Sequence, residues 1–394
     1  MSGLLRVEVA DDSLFGAENL PYGVFAPPGG DFRVGVRLGD YVLDLAALLE
    51  DPTFSTPSLN PFLAQGPARW RAVRDRVRGL ADTALAVDAV HPLSTVRLLL
   101  PVRIGDYVDF YASIDHATNL GRLFRPEAAP LLPNWRHLPV GYHGRAGTVV
   151  VSDTPVIRPH GQCRTDSGAP EFGPTQRLDI EAELGFVVGA GSAPGVPVTV
   201  DEFDAHVFGV ALINDWSARD IQAWEYQPLG PFLGKSFATS MSAWITPMAA
   251  LTHARVPLPT QDPEPLPYLR GTDDHGLDIA LTVRWNGEIV ARPPYARMYW
   301  SPAQMLAHLT ANGASIRPGD LYASGTISGP GPGECGSFIE LSRGGTQPVA
   351  VAGGSRTYLA DGDEVVITAT AAGAAGRRIG LGQVSGRIVP ARTG

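Results

Sequence analysis

One stretch constrains this chain more than any other. Leu178-Asp179-Ile180-Glu181-Ala182-Glu183-Leu184-Gly185-Phe186 alternates apolar and polar positions, the period-two pattern of a β-strand. Ile180, Ala182, Leu184 and Phe186 share one face, which needs cover, and Asp179, Glu181 and Glu183 share the other. A half-buried strand with a solvated acidic face is the plainest reading. The alternative is a hard divalent cation, which takes oxygen ligands at about 2.0–2.6 Å and turns carboxylate repulsion into a binding site. Such a site needs carboxylates from elsewhere in the chain. Asp109, in Gly105-Asp106-Tyr107-Val108-Asp109-Phe110-Tyr111, and Asp215, which closes the apolar run Val210-Ala211-Leu212-Ile213, are the two candidates. Turn or cap chemistry explains either one alone.

The rest of the chain is punctuated by 45 Gly and 35 Pro, below the share that marks low complexity. Its 394 residues suggest two domains at roughly 150 residues each. Residues 1–100 mix strand-like runs such as Phe32 to Arg37 with a helix near 68–85, where Trp70, Val73, Val77 and Leu80 recur at helical spacing. They read as a small separate domain, and 101–394 as the second. In the latter, Asn286-Gly287 marks a type I′ hairpin. Ser301 caps a helix with Pro302 at its first position and Gly313 beyond its end. Residues 362–370 and 378–389 read as strands.

A net charge of −9 argues against nucleic-acid binding, which needs a cationic surface. Two cysteines, Cys163 and Cys335, are too few for a disulfide framework or a Cys-based zinc site and point to a reducing compartment. The chain reaches Glu8, Asp11 and Asp12 before any apolar leader forms, and no run approaches 18 apolar residues. A soluble cytoplasmic protein with no membrane partner is expected.

After Asp215, Ser217-Ala218-Arg219-Asp220 is a capping-box pattern opening a helix that runs to about Tyr226 and is stopped by Pro228. Arg219, Gln222 and Tyr226 then form one polar stripe. It is either a solvated surface or, beside Trp216 and Trp224, a buried face that needs an anionic partner. Gly230-Pro231-Phe232-Leu233-Gly234-Lys235-Ser236 falls one residue short of a phosphate-binding loop, and Pro231 removes a donor, so nucleotide binding is not expected. Lys235 is nevertheless the only lysine among 31 basic residues. Chance can leave one lysine behind, but so can a need for a compact ammonium that a guanidinium cannot replace. His116 is an ordinary structural histidine taken singly, and a natural base if a cation lies near. His116, His137 and His143 lack helical metal-ligand spacing. There is no Gly-x-Ser-x-Gly elbow and no motif around either cysteine.

Several runs resemble the fumarylacetoacetate hydrolase family: Asp106 to Tyr111 with His116-Ala117-Thr118-Asn119, Leu132 to Trp135, Leu138 to Arg145, Asn214 to Gln222, Pro228 to Phe237, Ala323 to Gly329, and Asn19 to Phe25 near the start. The resemblance spans nearly the whole chain. It implies a mainly β fold with some α, an N-terminal SH3-like barrel (1–100), a C-terminal mixed β-roll (101–394) and a homodimer. It also implies hydrolysis of a carbon–carbon bond of 4-fumarylacetoacetate to fumarate and acetoacetate, the last step of tyrosine and phenylalanine degradation. By position, Asp109, Glu181, Glu183 and Asp215 would hold Ca²⁺ or Mg²⁺, and Mn²⁺ suits the same oxygens. A second cation would contact Asp215 and the region of Lys235 and Thr239. His116 would be the base, oriented by Glu340. Arg219, Gln222 and Lys235 would stabilise negative charge, and Tyr111, Arg125, Tyr142, Gln222, Tyr226 and Thr326 would hold the substrate. Ile114-Asp115 departs from the family's usual polar and basic pair, and an anion beside His116 would favour its protonated form. Two rival readings are a related activity such as acylpyruvate hydrolysis, and a structural Ca²⁺ site in a non-catalytic module.

Overall fold

A computed structural model describes residues 3–392 except Asp166. The apolar run before Asp215 becomes the strand Val207–Asp215, buried along its whole length, as a strand apolar on both faces must be. It lies in a 13-stranded sheet. Ala182–Val188 pairs antiparallel along one edge and Trp244–Pro247 along the other. Beyond Ala182–Val188 come Leu321–Ala323, then Tyr107–Phe110 parallel to it, then Gly141–His143. Alternate side chains of the central strands enter two cores. Leu184, Phe186, Val210 and Leu212 pack with Trp285, Val365, Ile367 and Leu381, and Val187, Ala211 and Ile213 pack with Phe62, Trp70 and Phe208.

A five-stranded sheet that includes Ile279–Trp285, Glu288–Ala291, Glu364–Ala372 and Arg378–Val389 closes the first core. The expected hairpin forms, with Asn286 and Gly287 both at positive φ (50° and 86°). Helix Pro302–Thr310 carries the Ser301 cap, which Gln304 completes as a capping box. Helix Pro67–Ala81 closes the second core with Trp70, Val73 and Val77. No helix among the described residues is long and apolar enough to cross a membrane.

Three expectations are corrected. The N-terminal strands do not close into an SH3-like barrel among the described residues. Val90–Pro92, Tyr41–Asp44, Arg33–Leu38 and Tyr22–Ala26 continue through Trp244–Pro247 into the central sheet. Gly23, which has no side chain to clash with the ring of Trp244, permits that pairing, and it satisfies an otherwise open strand edge. The strand read over 178–186 is split into Leu178–Asp179 and Ala182–Val188, which pair with different partners. The capping box at Ser217 does not form, because Ser217–Ala218 extends against Leu178–Asp179 and the Ser217 hydroxyl bonds the Asp215 carbonyl. That helix starts at Arg219 instead.

Gly325 (φ 75°) presses the chain after Leu321–Ala323 against Phe110, where a Cβ would lie 2.2 Å from the Phe110 carbonyl oxygen. Gly325→Ala is expected to cost at least about 1–3 kcal/mol in backbone strain, read as a lower urea midpoint. An unchanged midpoint would contradict this packing.

Candidate active site

Strand register gathers the carboxylates. Glu183 lies opposite Ile213, Ala323 opposite Gly185, and Asp109 beside Ala323. Asp109, Glu183 and Asp215 therefore point to one face of the sheet. Glu181, in the gap of the split strand, accepts the Asp215 N–H through its carbonyl at 3.1 Å. One oxygen of each of Asp109, Glu181, Glu183 and Asp215 lies within 4.8 Å of the others. All four side chains are buried, so the acidic face is not solvated.

Two cations of the chain reach this cluster. Lys235 Nζ donates to Glu181 Oε2 and, at 2.7 Å, to Asp215 Oδ2. Arg219 Nη1 donates to Glu181 Oε1 at 2.7 Å. Burial raises the pKa of Glu181, but Lys235 and Arg219 outweigh it and hold this carboxyl well below the ordinary range. Burial and the facing carboxylates push Asp109 and Glu183 well above it. Asp109 Oδ1 and both Glu183 oxygens are buried without a hydrogen-bond partner among the described residues, which is costly unless something else binds them. A hard divalent cation fits this all-oxygen set, with Asp109, Glu181, Glu183 and Asp215 as its ligands. Tyr142 and Thr239 hydroxyls each donate to an Asp215 oxygen at 2.8 Å. Against burial, Asp215 and Glu181 keep Lys235 protonated. Its ammonium has no lone pair for a metal, so it serves as a counter-charge, whereas the Thr239 hydroxyl could bind one. A cavity of 340 Å³ opens beside Tyr142, Asp215, Lys235 and Thr239, with His143 and Arg145 in its wall.

His116 sits in helix Ile114–Phe124, where the Ser113 cap accepts its N–H. Its Nδ1 lies 2.7 Å from Glu340 Oε2. Glu340 also accepts from Ser337 (2.7 Å), Ser328 (3.0 Å) and Asn119 (2.9 Å). Burial raises the Glu340 pKa, but His116 and the hydroxyl and amide donors hold it below the ordinary range. A carboxylate at Nδ1 makes that nitrogen the N–H and leaves Nε2 as the basic atom. The Tyr111 ring stands edge-on to the imidazole at 5.3 Å. Asp115 forms no hydrogen bond or ion pair with His116 among the described residues. Burial raises its own pKa while Arg297 opposes the rise.

Of the polar stripe, Arg219 alone bonds carboxylates among the described residues. Arg219 Nε donates to Asp179 Oδ2 (2.8 Å), and its Nη1 also reaches Gln222 Oε1 (3.1 Å). Arg219 Nη2, Thr326 Oγ1 and Arg125 Nε are buried without partners among the described residues, while Arg125 Nη2 is tied to the Pro130 carbonyl at 2.9 Å. Tyr226 follows the helix, donates its N–H to the Gln222 carbonyl at 3.0 Å and accepts at its hydroxyl from Gln227 at 3.0 Å. Sequence reading gave no role to Asn119, Ser328 and Ser337 around Glu340, although Asn119 and Ser328 lie within runs that carry the resemblance. It also missed the separate role of Asp179, whose only signal is its place in the acidic stretch.

Residues 18–101 match the family described as Fumarylacetoacetase N-terminal, and residues 107–389 match Fumarylacetoacetate (FAA) hydrolase C-terminal. The fumarylacetoacetase of Homo sapiens is 46% identical over 413 residues, covering 98% of each chain. That of Oryza sativa subsp. japonica is 42% identical over 417 residues, covering 98% of this chain and 97% of its own. A solved fumarylacetoacetate hydrolase from Exiguobacterium antarcticum shares the fold, with a TM-score of 0.58 at 20% identity over 95% of this chain and 100% of that one. So does maleylpyruvate hydrolase from Sphingobium sp. SYK-6, solved with manganese(II) and pyruvate, with a TM-score of 0.54 at 16% identity over 95% and 100%.

Raised carboxyl pKa values favour a folded state that holds protons. The stabilisation they give is present below about pH 4, the ordinary carboxylate range, and is lost as pH rises through the raised values. EDTA-treated protein is therefore expected to melt at progressively lower temperature as pH rises above about 6, where Glu181 and Glu340, held low, stay ionised in both states, with added divalent cation restoring more at higher pH. Parallel melting curves with and without EDTA across that range would contradict the cluster's charge balance.

Proposed function

The chain belongs to the fumarylacetoacetase family, and we propose that His116 activates the water with which it hydrolyses a carbon–carbon bond of 4-fumarylacetoacetate. The products are fumarate and acetoacetate, and the reaction ends tyrosine and phenylalanine degradation. A carbon leaving group departs readily only as an enolate whose charge spreads onto oxygen. When bound by the four carboxylates, a divalent cation polarises oxo groups and takes up such charge. We assign Ca²⁺ or Mg²⁺, with Mn²⁺ compatible, and a second cation between Asp215 and the region of Lys235 and Thr239.

His116 Nε2 takes a proton from water, and Glu340 holds Nδ1–H and stabilises the imidazolium. Hydroxide attack on the carbonyl creates an oxyanion, whose collapse breaks the carbon–carbon bond to give fumarate and an acetoacetate enolate that takes the imidazolium proton at carbon. Arg219, Gln222 and Lys235 face the oxyanion as donors already fixed by their bonds to Asp179, Glu181 and one another, so little reorganisation is needed. Arg125 pairs with a substrate carboxylate, and Tyr111, Tyr142, Gln222, Tyr226 and Thr326 complete the substrate contacts. The observation that carries this reading is the buried His116–Glu340 pair at 2.7 Å in a chain that also gathers four buried carboxylates. A structural Ca²⁺ site would give that pair no task.

The reading includes a cytoplasmic homodimer with a domain division at residue 100. Unpaired Cys163 and Cys335, apolar surface at Phe172, Leu229 and Phe232, and the gap between the two family matches support it.

Purified protein should remove the ultraviolet absorbance of fumarylacetoacetate in an EDTA-sensitive way and act more slowly on an acylpyruvate. Cleavage of the acylpyruvate alone would move the specificity, and no turnover of either would overturn the catalytic reading. His116→Ala is expected to lower kcat by about 10²–10⁴-fold while retaining metal. Lys235→Arg should be strongly impaired, since a planar guanidinium cannot take the place of an ammonium bridging Glu181 and Asp215; near-normal turnover would contradict the role given to the lone lysine.

A further inference from the structure

We infer that Asp179 is a positioning residue that holds Arg219 and the turn carrying Glu340 in one frame, so that the oxyanion donors and the base keep their relative geometry. The inference rests on the hydrolase reading above. Asp179 is fully buried and lies outside the four-carboxylate cluster. Its Oδ2 accepts from Arg219 Nε (2.8 Å) and the Ile339 N–H (3.1 Å). Its Oδ1 accepts from the Ile180 and Phe338 N–H groups, both at 2.7 Å. Four donors and no acceptor surround the carboxyl, so only the ionised form satisfies them all.

These bonds join Arg219 to the turn carrying Glu340, which share no hydrogen bond of their own among the described residues. Arg219 continues through Nη1 to Glu181 and Gln222. Phe338 and Ile339 open the short turn Phe338–Leu341, which contains Glu340. That turn receives no side-chain cap from Ser337, whose hydroxyl donates to Glu340 Oε2 instead. Asp179 supplies the missing acceptors from a distant strand, satisfying N–H groups that a helical turn leaves unpaired. Its own backbone is pinned by pairing with Ser217, two residues past Asp215. One carboxylate thus spans the donor side and the base side of the site.

Asp179→Asn keeps the size but sets an amide donor against two of the four donors in either orientation. If Asp179 positions Arg219 and Glu340, kcat should fall about 10²-fold, as when one preorganised donor is lost, with KM changed less than about threefold and Mn²⁺ affinity retained. Because part of its effect runs through Arg219, the substitution should cost clearly less in an Arg219→Gln background than it costs alone. If Asp179→Asn does not fold, Asp179→Glu, which keeps the charge but displaces the oxygens, serves in the same cycle. A folded variant with near-normal kcat, a fully additive double variant, or a loss of Mn²⁺ affinity matching the loss of rate would each overturn the inference. Wild-type turnover that is lost in His116→Ala shows the hydrolase reading intact whichever way Asp179 falls, whereas a wild type with no turnover would remove that reading instead.

Discussion

Four carboxylates drawn into one dry pocket set the terms for the structure around them. Like charges about 4 Å apart repel by roughly 4 kcal/mol per pair at the effective dielectric of a protein interior. The chain answers with two cations of its own, Lys235 and Arg219, which both bind Glu181. Asp109 and Glu183 remain uncompensated. The imbalance is local and directed, and it is what makes the pocket a place for a divalent cation rather than a finished ion-pair network. An acidic chain with a single lysine places that lysine at the one point where a compact charge touches two members of the cluster.

The fold meets this demand by register. The face of the sheet that carries Val187, Ala211 and Ile213 into the core under helix Pro67–Ala81 also carries Glu183, Asp215 and Asp109 toward its end. Apolar contacts along the strands therefore anchor the groups that repel. On the flank, a second polar network fixes His116 through Glu340, with Asn119, Ser328 and Ser337 closing the remaining lone pairs. Such networks specify one geometry only when every member is satisfied.

Much of this was legible in the residues. The alternation from Leu178 to Phe186 gave the strand, the run before Asp215 gave its buried neighbour, and Asn286-Gly287 and Ser301 gave their turn and cap. Local chemistry was enough for each. What failed depended on partners distant in sequence. Asp179 leaves the cluster for Arg219 and the turn at Phe338 because the strand breaks between Asp179 and Ala182, and the Ser217–Ala218 pairing that accompanies the break has no signal in 178–186. The N-terminal strands join the central sheet through Trp244–Pro247 instead of closing, a choice made by a segment some 200 residues away. The roles of His116, Glu340 and Arg219 came from resemblance, since a lone histidine, glutamate or arginine carries no role in its spacing.

The central claim is that Asp109, Glu181, Glu183 and Asp215 jointly bind a cation. Anomalous diffraction from crystals soaked in Mn²⁺ tests it most directly. The account predicts a peak within about 2.0–2.6 Å of oxygens from these four residues, absent in Glu183→Gln crystals treated alike. A peak elsewhere, or no peak in wild-type crystals at saturating Mn²⁺, would contradict it.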